Sequence, residues 1–275
     1  MKKINLKKIV TFVLWIIGLS GLLASLAFVS KKEKNVLVEN LLVSVNNTEI
    51  NSFIDEEDVK DFFIERKDSI LKTPIKNLNI NVLEKVLNSH PAVENADVAV
   101  DINGDVNIEV KQRTPLVRVI NLDGESYYID DKSKLMPLSD KYTARVIVAT
   151  GYILEPYARR YQFSVDAISK NKLYSEVSVL DDVYKTALFI SKDSVLANLI
   201  HQININQEKE IELYPSIGAH KIIFGEANNF KEKFDKLKLF YTEGLNKTDG
   251  WNKYSVVNIK YKNQVVCTKK QVYGK

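Results

Sequence analysis

The sequence predicts an α+β protein carried on a single N-terminal transmembrane helix. Three observations predict it: a charge-free apolar run near the start, a strand–helix–helix–strand–strand order in the next 75 or so residues, and a longer remainder in which strands and helices mix without regular alternation. At 275 residues the chain exceeds one average globular domain and fits one large or two small ones. With 45% hydrophobic and 27% charged residues it is compositionally globular, which excludes a wholly disordered chain. The net charge of +4 comes from the first thirty residues, which hold Lys2, Lys3, Lys7 and Lys8 and no acid. The rest is balanced, so nothing in it pulls generally on phosphate backbones and nucleic-acid binding is not expected. The lone Cys267 excludes an intramolecular disulfide and any multi-cysteine metal site.

Ile9 to Val29 is 21 residues without a charge. As a helix it reaches roughly 30 Å, the thickness of a bilayer's hydrocarbon core. A short tail, residues 1–8, stays cytoplasmic most naturally, and the long carboxyl-terminal part is exported. A cleaved signal peptide competes, because Ser25-Leu26-Ala27 offers small residues to a signal peptidase and would leave Phe28 as the new amino terminus. The apolar run is longer than a usual signal-peptide core, which favours a retained anchor. Both readings export the remainder.

Val36–Val45 is β-rich and apolar, a first strand. Asp55 to Asp58 form an acidic helix start with Asp55 as N-cap, and Val59, Phe62 and Phe63 make one apolar face. Thr73-Pro74 breaks the chain. A second helix carries Ile80, Leu83, Val86 and Leu87 on one face and stops before Pro91. Ala96, Val98, Val100 and Ile102 then alternate with polar or small residues up to Asn103-Gly104, and Val106, Ile108 and Val110 alternate after it. That pattern predicts a two-residue hairpin with a type I′ turn.

This β-α-α-β-β order directly after an anchor resembles a POTRA domain, the polypeptide-transport-associated module. Gln112-Arg113-Thr114-Pro115, Leu116–Ile120, Asp123-Gly124, Tyr127-Tyr128-Ile129-Asp130, Met136-Pro137-Leu138 and Tyr142–Val146 follow. They resemble the FtsQ/DivIB family of bacterial cell-division proteins, in which an R-x-P step leads from the POTRA module into a β domain. The residue-level match runs from about Leu78 to Gly151. One departure is Asp131-Lys132-Ser133-Lys134, which stands where a glycine-containing turn is expected. The resulting domain expectation is a tail at 1–8, a transmembrane helix at 9–29, a POTRA domain at 36–113, a β domain at 114–270 and a tail at 271–275.

Within the β domain, Val177–Ile200 reads as one or two helices, and His201–Asn206, Glu210–Ile217 and Lys221–Phe224 as strands. Phe230, Phe234, Leu237 and Tyr241 share one helix face, opposite Lys231, Glu232, Lys233, Asp235, Lys236 and Lys238. Ser255, Val257, Ile259 and Tyr261 alternate in a late strand, followed by a turn at Asn263-Gln264 and by Val265–Cys267. The expected sheet is largely antiparallel.

Signals for chemistry are thin. His90, His201 and His220 lack the i, i+4 spacing of a zinc helix and read as surface or capping residues. No G-x-S-x-G elbow, Walker loop or Rossmann fingerprint is present. Asp130-Asp131 and Asp181-Asp182 read as turn and helix-start acids rather than an acid–base pair. No catalytic residue, metal ligand, cofactor or small-molecule substrate is expected. Residues 246–275 hold seven lysines and one acid, which suits both a solvated edge strand and an acidic partner.

The resemblance implies a non-enzymatic scaffold of the divisome. It would be a single-pass protein of the inner (cytoplasmic) membrane with its bulk in the periplasm or extracytoplasmic space, at the division septum. It would bind an FtsB/FtsL-type coiled-coil pair and help control septal peptidoglycan synthesis. In that family the partner adds a strand to a late strand of the β domain. Position in the chain carries this to the edge of Tyr254–Lys262, with Tyr254, Val256 and Tyr261 as anchors, Trp251 as a flanking aromatic, and Lys253, Lys260 and Lys262 facing partner acids. Other classes remain: a POTRA protein of outer-membrane transport, which would need a barrel of short alternating strands, an exported hydrolase, and a secreted binding module.

Overall fold

A computed structural model describes residues 12, 14–23, 36–46, 52–65, 70–157, 164–170, 178–248 and 250–271. Of the predicted span Ile9–Val29, residues 12 and 14–23 are described, and they are helical with exposed side chains. The rest of that span lies outside the described residues, as do residues 272–275 of the tail. Among the described residues no helix is long and apolar enough to cross a membrane.

The chain divides into two compact units, one holding Ile54–Lys111 together with the chain up to Asn46, the other holding Gln112–Lys275 and Asn47–Phe53. The first unit carries strand β1 (Leu41–Asn46), helices α1 (Glu56–Glu65) and α2 (Ile80–Asn88), and strands β2 (Val93–Val100) and β3 (Val106–Gln112). This is the predicted β-α-α-β-β order. The sheet runs β1-β3-β2, with β1 parallel to β3 from Leu41↔Val106 to Asn46↔Lys111. Asp55 caps α1 as expected: its Oδ1 accepts from the N–H groups of Glu57 (3.0 Å) and Asp58 (2.9 Å), while Asp58 Oδ2 accepts from Asp55 N–H (2.9 Å). Asn79 does the same for α2, accepting from Val82 N–H. Val59 and Phe63 of α1 and Leu83 and Leu87 of α2 are buried with Val106, Ile108 and Val110 of β3.

The β2–β3 turn differs from expectation. Only Gly104 has positive φ (103°), and Asp101 N–H bonds to Asp105 C=O (3.0 Å) while Gly104 N–H bonds to Asp101 C=O (3.3 Å). The loop therefore has three residues, a turn followed by one left-handed glycine, rather than two in a type I′ turn. Asp101 decides the matter, because its Oδ1 accepts from the N–H groups of Asn103, Gly104 and Asp105. Those bonds hold its carboxyl below the usual range. Ile102, expected on the inward face, is 86% exposed at the tip.

The second unit is built on strands β4 (Pro115–Ile120), β5 (Ser126–Asp130), β6 (Leu135–Met136), β7 (Ile147–Gly151), β8 (Ile200–Ile205), β9 (Ile211–Pro215), β10 (Lys221–Gly225), β11 (Tyr254–Asn258) and β12 (Val266–Lys269). Its helices are α3 (Val165–Lys170), α4 (Leu180–Ser191), α5 (Ser194–Leu199) and α6 (Phe230–Leu239), the last running into a π-helical turn at Phe240–Leu245. The sheet order is β12-β11-β10-β9-β8-β7-β4-β5-β6. Five of its eight pairings are antiparallel, while β4–β7, β7–β8 and β10–β11 are parallel. One core joins Val117, Val119, Ile203, Leu213, Ile222 and Val257 of the sheet to Leu180, Val183, Ala187, Phe234 and Leu237 of the helices.

The family-like motifs now have physical content. Arg113 Nη1 donates to the fully buried Asp130 Oδ2 at 2.8 Å. Asp130 Oδ1 accepts from the N–H groups of Lys132 (2.9 Å) and Lys134 (2.6 Å), and Asp131 N–H bonds to Thr114 C=O (3.0 Å). Gln112 Oε1 accepts from Phe53 N–H at 2.8 Å, and the Phe53 ring stands edge-on to Tyr128 and Tyr142. The unusual turn Asp131–Lys134 places Ser133 at φ 64°, the left-handed position that glycine fills most easily.

Gly104 fixes the register of the first unit. A Cβ there would lie 2.3 Å from Leu37 C=O, besides the positive φ. Gly104→Val should lower the stability of that unit by about 2 kcal/mol or more, read by denaturant unfolding of the detergent-solubilised chain. An unchanged transition would contradict this turn.

Candidate functional site

The late strands form one end of the large sheet. Strand β11 lies between β10 and β12: Lys221↔Val256, Ile222↔Val257 and Ile223↔Asn258 pair on one side, and Val256↔Thr268, Val257↔Cys267 and Asn258↔Val266 on the other. The open edge therefore belongs to β12, not to the predicted Tyr254–Lys262 strand. The reason is the turn near Asn263 (φ 59°), which returns the chain along β11 and covers it. Lys270 N–H bonds to Lys253 C=O (3.0 Å), and Thr268 C=O accepts from Ser255 Oγ (3.3 Å). Both thus face inward, and backbone alternation leaves the N–H and C=O of Cys267 and Lys269 on the outer edge. Among the described residues no strand pairs there.

The predicted contact residues divide between structure and surface. Trp251 is half-buried, its ring 5.1 Å from that of Tyr241 and its Nε1–H donating to Asn246 Oδ1. The Tyr254 ring packs 6.2 Å from Phe240. These two aromatics brace the π-helical turn. Lys260 pairs with Glu210 at 3.2 Å, and Tyr261 C=O accepts from Lys236 Nζ. Val256 is half-buried, whereas Lys253, Tyr261 and Lys262 are exposed. Lys253, Tyr254 and Val256 flank the β12 edge through their neighbouring strand. Lys260 and Lys262 line instead a cleft of about 220 Å³ with Asn229, Glu232, Lys233 and Lys236.

Lys233 is a correction: predicted on the solvated face of α6, it is 5% exposed. Its Nζ lies 4.5 Å from the Phe224 ring centre and donates to Glu226 C=O (2.8 Å) and Asn228 Oδ1 (3.0 Å). Burial pulls its ammonium below the usual lysine range. His220 is another correction, since it is buried rather than a surface residue. Its Nε2 lies 2.7 Å from Tyr241 Oη, and its Nδ1 has no partner among the described residues. Burial first, and Lys270 second, lower its pKa, while burial raises that of Tyr241. Sequence reasoning missed this cluster because a histidine after Gly218-Ala219 carries no sign of an aromatic partner 21 residues on.

The acid pairs behave as ordinary structure. Asp181 pairs with Lys185 one turn along α4, and Asp130 serves Arg113. Burial raises the Cys267 thiol. Among the described residues no group of His, Cys, Asp and Glu could hold a metal ion.

A β-α-α-β-β unit followed by a mixed nine-stranded sheet with an open carboxyl-terminal edge defines an α+β class in which a small unit precedes a larger sheet. A family model of a POTRA-like domain matches residues 37–111. A second, described as FtsQ/DivIB, C-terminal related, matches residues 114–268, more than half of the chain. The chain belongs to the FtsQ/DivIB family, a family of non-enzymatic cell-division proteins. A comparison with curated proteins found no match for the chain.

The buried His220 makes the second unit acid-sensitive. Folded, it stays neutral to lower pH than the unfolded side chain with pKa near 6.5, so the unfolded state binds more protons below that value. Its contribution is complete above about pH 6.5 and falls as the pH drops, by at most about 1.4 kcal/mol per pH unit. His90, whose pKa is also lowered by burial against an opposing Asp58 charge, adds a slope of the same sign in the first unit. His220→Gln should therefore flatten the pH dependence of unfolding of the second unit between pH 6.5 and 5. An unchanged slope, measured by denaturant unfolding with probes in that unit, would contradict the assignment.

Proposed function

We propose that this chain is a bitopic divisome scaffold. Ile9–Val29 anchors it in the inner (cytoplasmic) membrane, both units lie outside the cytoplasm, and the protein acts at the division septum. It binds an FtsB/FtsL-type coiled-coil pair and so helps control septal peptidoglycan synthesis, with no reaction of its own. The observation that supports this best is the open edge of β12 at the end of an FtsQ/DivIB-related sheet.

Strand addition fits that edge. The outward N–H and C=O of Cys267 and Lys269 supply affinity along the backbone, and the exposed side chains of Val266, Thr268 and Lys269 supply selectivity. Lys253, Lys269 and Lys270 make the edge basic, which suits an acidic partner strand. Tyr254 and Val256 back this edge from β11, and Trp251 fixes the turn beneath it. Lys260 and Lys262 lie apart from this edge on the cleft beside α6, and Tyr261 is exposed on the turn between β11 and β12.

Asn258 is a poor place to test the edge, since β11 is paired on both sides. Lys269 is better, because a proline there removes an outward donor from an exposed edge residue. Lys269→Pro should leave the fold intact and weaken binding to a purified coiled-coil partner by about tenfold or more. Unchanged affinity in the folded variant overturns the edge assignment. Retention of the full chain in membrane pellets after carbonate washing tests the anchor, and release of a mature form beginning near Phe28 overturns it.

A further inference from the structure

The end of the first unit where the chain enters from the anchor carries an unusual collection of exposed apolar side chains. Leu37 is 46% exposed, Leu71 47% and Ile102 86%. Their backbones are drawn together by hydrogen bonds. Glu39 N–H bonds to Gly104 C=O (3.1 Å), Val38 N–H to Thr73 C=O (3.0 Å), Lys72 N–H to Val38 C=O (2.9 Å) and Ile75 N–H to Val36 C=O (3.0 Å). The Val36–Glu39 segment is thus flanked by the Ile70–Ile75 turn on one side and the Asp101–Asp105 loop on the other. Isolated exposed apolar residues are ordinary, but three on adjoining segments at one end of a small unit are not.

The location of that end is constrained by chain length. Seven steps separate Val29, the last residue of the predicted span, from Val36. Fully extended they reach about 24 Å, and the headgroup layer takes up about 5 to 8 Å of it. Val36, and with it the end bearing Leu37, Leu71 and Ile102, is therefore tethered within about 24 Å of the hydrocarbon core.

We propose that this end is a membrane-contacting tip: Ile102, Leu71 and Leu37 enter the interfacial layer of the bilayer that holds the anchor. The inference rests on the anchor reading above. The charged groups around the tip nearly cancel, with Lys72 and Lys76 against Glu39, Asp101 and Asp105, and Asp101 is turned toward its own loop N–H groups. Attraction to anionic lipid is therefore not the main force, and apolar burial is. Three partly exposed side chains bind a free bilayer weakly, but the anchor supplies a high effective concentration. The contact orients the first unit on the membrane, a constraint that tethering alone does not impose.

The test uses the full chain carrying Cys267→Ser, reconstituted in phosphatidylcholine vesicles and in vesicles of phosphatidylethanolamine and phosphatidylglycerol. An environment-sensitive fluorophore is placed on Asn103→Cys at the tip, or on Glu109→Cys in β3 as a control, and quenched by lipids bearing a nitroxide near the headgroup. The Asn103 label should be quenched at least about twofold more than the Glu109 label in both vesicle types, and Ile102→Asp or Leu71→Asp should abolish the difference. Equal quenching of the two labels in a chain that resists carbonate extraction overturns the tip while leaving the anchor intact. Quenching that is unaffected by both aspartates, or that requires anionic lipid, overturns apolar insertion. A chain that washes off the vesicles overturns the anchor reading, and the tip falls with it.

Discussion

The second unit depends on one buried ion pair. Asp130 is wholly removed from water, and a lone carboxylate there would be very costly. Arg113 meets one oxygen, and two backbone N–H groups of the following turn meet the other. The arrangement joins Arg113, two residues before β4, to the last residue of β5 and shapes the turn that leads into β6. Removing the arginine would strand a buried charge, which is worth more as a constraint than the pair is as a source of stability. Gln112, one residue earlier, holds Phe53 against Tyr128 and Tyr142. Four consecutive residues, Gln112 to Pro115, therefore set the register in which the sheet begins.

From that start the sheet grows in both directions to an unequal result. Toward β6 it stops after a strand of two residues. Toward β12 it adds six strands and recruits helices α4 to α6 over one face. The far end is braced by aromatic contacts: Phe224 against Phe234, Phe189 against Phe234, and Tyr241 between His220 and Trp251. The π-helical turn at Phe240–Leu245 brings Tyr241 and Phe240 to opposite tasks, one toward His220 and Trp251, the other toward Tyr254. Such turns recur at functional sites, and here it supports the strands that precede the open edge.

Much of this was legible in the sequence, wherever the signal was local. Asp55 and its acidic followers marked a capped helix, and the alternation of Val106, Ile108 and Val110 marked a buried strand face. The parts that were not legible depend on what distant residues do. Asp101 captures three N–H groups and so converts an apparent type I′ turn into a longer loop, which an Asn-Gly dipeptide alone does not reveal. Lys233 looks solvated until Phe224 and Asn228 are placed over it. Ser133 takes a left-handed conformation because Asp130 and Arg113 over-determine its turn, so the missing glycine altered no more than the local strain. The candidate edge moved by one strand for a similar reason. Four residues after a turn, Val266–Lys269, are too short to announce a strand, yet they are enough to pair all of β11.

An open sheet edge has to persist in a folded domain without pairing indiscriminately. Long, flat, apolar edges aggregate, and natural sheets blunt them with short strands, charges and irregular register. β12 has four residues, ends in Lys269 and is followed by Lys270, and its pairing with β11 shifts register between Tyr254 and Val256. Each feature that discourages indiscriminate pairing also narrows the set of strands that fit. Under the proposed strand addition, a partner segment would carry acids to meet the lysines and be short enough to match the four-residue edge. The lysines that protect this edge are the same groups that would select an acidic strand, so the two readings of them do not compete.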